Sequence, residues 1–126
     1  MVDFMLYAST VEYADIIGHP LHATGLELYG KEIDLAKVIG LIPDDSIRHI
    51  AKNMKDNRIA MELNSVVLEE AYGKAMQRVY TICKEEHVTF SLGSDAHWLD
   101  GIFDISLARH YLNRLHIEEE DIWVME

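Results

Sequence analysis

The sequence predicts an α/β fold: a barrel-like sheet of about four parallel strands flanked by helices, in a single domain spanning 1–126. Three observations point there. Four short apolar runs alternate with stretches of helical periodicity, the order of parallel βαβ units joined by right-handed crossovers. In two of those runs one side-chain face is apolar and the other small or polar, whereas an open sheet covered by helices buries apolar residues on both faces. A polar interior walled by strands suits a barrel, and a half-exposed sheet is the other arrangement with this pattern. Finally, Gly93-Ser94-Asp95-Ala96-His97 follows the third run, at a strand's C-terminal end, where α/β folds keep their chemistry.

A helix over Val2 to Tyr13 precedes the first run, Ala14 to Gly18. Leu21 to Ile42, with Gly25, Gly30 and Gly40, reads as a long loop carrying a short helix around Ile33 to Val38. Pro43 enforces a break, and Asp44 or Asp45 is placed to N-cap a helix over Ile47 to Lys55. The second run, Arg58 to Leu63, leads to a long helical stretch from Val66 to about Glu86. The third run is Val88 to Leu92, and a helix from about Phe103 to Leu115 precedes the fourth, Ile122 to Met125.

Side chains alternate along a strand. Ile59, Met61 and Leu63 therefore share one face of the second run, and Ala60, Glu62 and Asn64 the other. In the third, Phe90 and Leu92 oppose Thr89, Ser91, Gly93, Asp95 and His97. In the first, Asp15, Ile17 and His19 share a parity, which predicts that His19 projects from the same rim as Asp95 and His97.

The formal charge is −11, with 22 acidic residues against 11 basic, so the surface repels a phosphate backbone and naked nucleic acid is not an expected partner. Small anionic substrates remain compatible, because a bound cation dominates its local field. The single cysteine, Cys83, has no internal disulfide partner, which predicts a reducing, cytoplasmic compartment. Met1-Val2-Asp3 brings an early acid where a secretory leader is basic, and no apolar run approaches the roughly 18 residues of a membrane helix.

Asp95 and His97, two apart in an extended segment, offer an oxygen and a nitrogen donor on one side, a pairing that suits zinc, manganese or iron. The structural alternative is a strand-end turn in which Asp95 caps a backbone amide and His97 is simply exposed. His19, before Pro20, is either a turn residue or a third member of the rim set. Glu62 on the inward face needs a partner: a salt bridge, or a liganding histidine that it orients from behind the site. Asn64 stands at the pocket mouth as a substrate contact. His22 is an auxiliary ligand, a substrate contact or a solvated loop residue.

Asp15-Ile-Ile-Gly-His-Pro20, Met61-Glu-Leu-Asn-Ser65 and Gly93-Ser-Asp-Ala-His97, in that order, resemble the C-terminal half of a PHP domain. This is the polymerase and histidinol phosphatase superfamily of metal-dependent phosphoesterases. The resemblance implies a partial, distorted β/α barrel with divalent ions at its C-terminal rim. It also implies hydrolysis of a small, histidinol phosphate-like phosphate monoester by metal-activated water. His19 matches the family's third-motif histidine, Asp95 and His97 the fourth-motif ligands and catalytic residues, and Asn64 its pocket asparagine. The sequence departs from the family in having no His-x-His pair and no basic residue soon after Asn64. The resemblance therefore implies that missing ligands come from a longer parent chain, a complementing N-terminal half or a second copy in a homo-oligomer. The alternative is an inactive fragment serving as a metal-binding or assembly module. An amidohydrolase-like barrel, with similar rim ligands, is a third reading. His49, His87, His110 and His116 fall in helical patterns and read as surface residues, and Trp98 as a pocket wall or packed rim aromatic.

Overall fold

Ile47, Ile50, Ala51 and Met54 recur at helical spacing, and they form the buried stripe of the longest helix in the first half of the chain. The computed structural model describes residues 1–21, 34–65 and 70–125. Its helices are α1 (Val2–Ala8), α2 (Leu35–Gly40), α3 (Asp44–Asp56), α4 (Glu70–Glu85) and α5 (Ser106–Leu115). Its strands are β1 (Ile16–Ile17), β2 (Ala60–Asn64) and β3 (Phe90–Gly93), and short 3-10 turns cover Leu99–Gly101 and Glu119–Asp121.

The three strands form one parallel sheet in the order β1-β2-β3, with Ile17 beside Met61 and Met61 beside Phe90. Mixed α/β architecture with a parallel sheet thus agrees with the sequence, but the expected count of four strands does not. The fourth run contributes one parallel bridge, Phe90 to Ile122, with Trp123 N–H donating to the Phe90 carbonyl at 2.8 Å. Beyond it Val124 and Met125 are exposed, so no neighbouring element draws that run into a ladder. The described strands form an open three-stranded sheet, not a closed barrel.

Several boundaries also move. α1 stops at Ala8 rather than Tyr13: the Ser9 hydroxyl turns back onto the Leu6 carbonyl at 2.8 Å, competing with the backbone pattern. The N-cap of α3 is Pro43, and Asp44 and Asp45 sit in its first turn, where they complement the helix dipole instead of capping. The short helix expected around Ile33 to Val38 begins at Leu35, with Asp34 as its N-cap accepting from Lys37 N–H at 2.9 Å. Residues 22–33 of the long loop, His22 among them, lie outside the described residues.

Helix α4 brings Met76, Val79, Tyr80 and Cys83 to the sheet at i, i+3, i+4, i+7 spacing. Tyr80 meets Phe90 edge to face, centroids 6.1 Å apart, and its hydroxyl donates to the Glu62 carbonyl at 3.0 Å. A buried phenol with its O–H satisfied at the middle of β2 secures α4 over the strand that carries Glu62 and Asn64. The Arg78 guanidinium pairs with Asp44 and donates to the Ile39 and Ile42 carbonyls, fastening the α2–α3 corner to α4 as only a fork of donors does. Asp121 accepts from the Lys84 ammonium and from Glu118 N–H. Burial alone would raise its carboxyl, but these donors outweigh it and hold the group below the ordinary carboxylate range.

Cys83 is fully buried against Met61, and burial, reinforced by Glu86, pushes its thiol up to about 12. The thiolate is the reactive form. We expect the native chain to resist an aromatic disulfide reagent at neutral pH and to release one equivalent of thiol only on denaturation. Prompt labelling of the native protein would refute this packing. Among the described residues no helix is long and apolar enough to cross a membrane.

Candidate metal centre

The parity expected for β1 does not hold. Ile17, 6% exposed, lies beside Met61 on the apolar face, so continued alternation would send His19 to that face too, away from the polar rim. The chain corrects this locally. His19 has φ 48° and Leu21 φ 58°, left-handed residues either side of Pro20, and the turn at His19 takes its imidazole off the strand's alternation. Asp95 also has φ 51°, so it too leaves the strand by a left-handed residue, not by extended alternation. Aspartate is among the few residues with a Cβ that tolerate this.

These turns bring the three rim residues together. His19 Nε2 stands 3.3 Å from Asp95 Oδ1, and His97 Nε2 stands 3.6 Å from the same oxygen. The Asp95 side chain is 15% exposed and those of His19 and His97 are 47% and 75% exposed, so the carboxylate lies beneath two imidazoles open to solvent. Both separations exceed the roughly 2.7–3.2 Å of a good N–H···O hydrogen bond. They are ion-pair separations that bring the three side chains to one place. Two imidazole nitrogens and a carboxylate oxygen are also the donor chemistry of zinc, manganese or iron. The imidazoles nevertheless close on the carboxylate: among the described residues no group of three or more His, Cys, Asp or Glu is arranged to hold a metal ion.

Glu62 and Asn64 sit behind this rim. Asn64 is fully buried, and its amide donates to Glu62 Oε2 at 3.2 Å. Its side chain is thus an internal strut rather than an open pocket-mouth contact. Glu62 reaches toward β1, where Oε2 accepts the His19 backbone N–H at 2.8 Å. It therefore engages the main chain of His19.

Beside the rim opens a hollow of about 440 Å³, lined among others by Ser65, Ser94, Asp95, His97, Trp98 and Asp104. The Ser65 hydroxyl is buried there and has no hydrogen-bond partner among the described residues. Trp98 is 82% exposed, so it walls the hollow without packing into a core. Asp104 accepts from both the hydroxyl and the amide of Ser106, and these bonds hold its carboxyl below its ordinary value while it starts α5. The residue pattern did not single out Ser65 and Ser94, because isolated serines after strands carry no periodic signal. A larger hollow of about 670 Å³, which Asp15, Arg58, His87 and Trp123 help line, opens at the N-terminal ends of the strands and contains none of the rim donors. His49, His87, His110 and His116 are all exposed and stand apart from the rim.

No protein-family model matches this chain, and no curated protein or solved structure matches it either.

Proposed function

We propose that this chain carries part of the metal centre of a PHP-type, metal-dependent phosphoesterase acting on a small phosphate monoester. The observation that supports it is the convergence of His19 and His97 on Asp95 at the C-terminal rim of a parallel sheet. A divalent zinc, manganese or iron ion held by those three residues would supply Lewis-acid polarisation of a phosphoryl oxygen and acidification of a water. The chain's own residues do the rest. Asp95 would give such a centre its one negative donor, His19 and His97 would supply the imidazole nitrogens beside it, and Ser94 lines the adjoining hollow as a hydroxyl donor for an ester oxygen. Trp98 limits that hollow on its solvent side.

Three donors leave a multi-ion cluster incomplete, so the proposal includes ligands from a second copy or a complementing chain. β1 is two residues long and pairs only with β2 among the described residues, and a sheet edge is where a second chain would pair. A second reading, a catalytically inactive metal-binding or assembly module, is favoured by the same count of donors.

The test is elemental analysis of the purified chain, with sedimentation and hydrolysis of p-nitrophenyl phosphate measured on the same sample. Two or more equivalents of zinc, manganese or iron with turnover support the phosphoesterase. One equivalent without turnover supports the binding module, and a chain that retains none sinks both.

A further inference from the structure

Glu62 occupies an unusual place for a carboxylate. It projects from the middle of a three-stranded sheet, with Gly18, just after β1, close on one side and Gly93 of β3 close on the other. A Cβ at Gly93 would lie 2.0 Å from Glu62 Oε1 and 2.8 Å from Cδ, so the carboxylate fills the space any other residue at 93 would need. Gly18 allows a looser approach, 3.5 Å to Oε2. No Lys, Arg or His forms an ion pair with Glu62 among the described residues. Among the described residues both hydrogen bonds to its side chain run to a single oxygen, Oε2, from His19 N–H at 2.8 Å and from Asn64 Nδ2 at 3.2 Å.

We propose that Glu62 is a positioning residue whose carboxylate, seated in the notch left by Gly93, holds the His19 main chain in its left-handed turn and so delivers the imidazole to Asp95. The role rests on the metal-centre reading above. It follows from the failed parity of β1: without the turn at His19, strand alternation sends the imidazole to the face of Ile17 and Met61. Glu62 accepts the His19 backbone N–H across the sheet, and Asn64, fully buried, keeps the acceptor oxygen in place. Because one oxygen accepts both bonds, the negative charge is dispensable. A carboxamide with its oxygen in that position serves equally, which separates a positioning role from that of a ligand or base.

The experiment titrates the full chain with zinc, comparing wild type with Glu62→Gln, Glu62→Ala, Gly93→Ala and the double variant Glu62→Ala/Gly93→Ala. Circular dichroism melts verify folding. Loss of a partner that orients a metal ligand weakens binding by about 10–100-fold. We expect that loss in Glu62→Ala and in Gly93→Ala, zinc affinity close to wild type in Glu62→Gln, and no further loss in the double variant. Zinc binding that falls in Glu62→Gln as far as in Glu62→Ala overturns the proposal, as does an unchanged affinity in Glu62→Ala. If the wild-type chain takes up no more zinc than Asp95→Ala, the metal reading has failed on its own. The clamp is then read by hydrogen exchange at the His19 amide. Protection in wild type and Glu62→Gln that disappears in Glu62→Ala sustains it, and equal exchange in all three overturns it.

Discussion

Asp95→Ala is expected to lose zinc affinity by roughly two to three orders of magnitude while the fold survives. The carboxylate is the one donor that both imidazoles approach, at 3.3 and 3.6 Å, and the one negative charge in the set. Structural zinc sites with four ligands bind with about 10–16 kcal/mol, so each ligand accounts for roughly 2.5–4 kcal/mol, or about 100–1,000-fold. Asp95 also adopts φ 51°, where alanine is strained by about 1–2 kcal/mol, so the alanine variant alone confounds ligand loss with backbone cost. Asp95→Asn separates them, since asparagine tolerates that conformation but is a poor ligand. Zinc content by mass spectrometry should fall in both variants, with the melting temperature lowered chiefly in Asp95→Ala. Retention of zinc in Asp95→Asn would remove Asp95 from the ligand set.

Phe90→Ala is expected to cost about 3–5 kcal/mol, a large share of the roughly 5–15 kcal/mol that holds a typical domain together. Phe90 is fully buried, stacks edge-on against Tyr80, lies beside Met61 in the sheet and anchors the bridge to Ile122 and Trp123. Its removal opens a cavity at the point where α4, β2 and β3 meet. Phe103→Ala is the control: that ring is 89% exposed, and its loss should stay within about 0.5 kcal/mol. Urea unfolding of the two variants measures both. A Phe90→Ala cost near that of Phe103→Ala would mean the sheet is not packed as described.

The two substitutions test different links of one chain of cause. Phe90 beside Met61 sets the β2–β3 register, that register places Gly93 next to Asn64, and the vacancy at Gly93 admits the Glu62 carboxylate. Damage to the core should therefore reach the rim, whereas Asp95 substitutions should not reach the core.

What the sequence by itself determined is local. The stripe Ile47, Ile50, Ala51, Met54 and the stripe Met76, Val79, Tyr80, Cys83 encode their helices by spacing alone, and both became buried faces. The alternation in the second and third runs set Met61 and Phe90 on apolar faces and Glu62 and Ser91 on the opposite ones, and the observed register aligns those faces. The grouping of His19 with Asp95 and His97 was also legible, though the reason first inferred, shared parity along extended strands, is not the one that operates.

Tertiary structure decided the rest, because it depends on which residues meet across strands. A register shift of one residue reverses a strand's faces, and nothing within Ala14 to Gly18 states that Ile17 will lie against Met61. The left-handed turns at His19 and Asp95 carry no periodic signal, and the Glu62 carboxylate meets the His19 amide from a strand 43 residues away. The apolar run after Asp121 has strand composition, but a strand needs a neighbour along its length, and Ile122 finds one only at Phe90. Hydrophobic periodicity is a property of a segment, and register and close approach are properties of pairs of segments, which is why the elements were readable from the chain and the geometry of the rim was not.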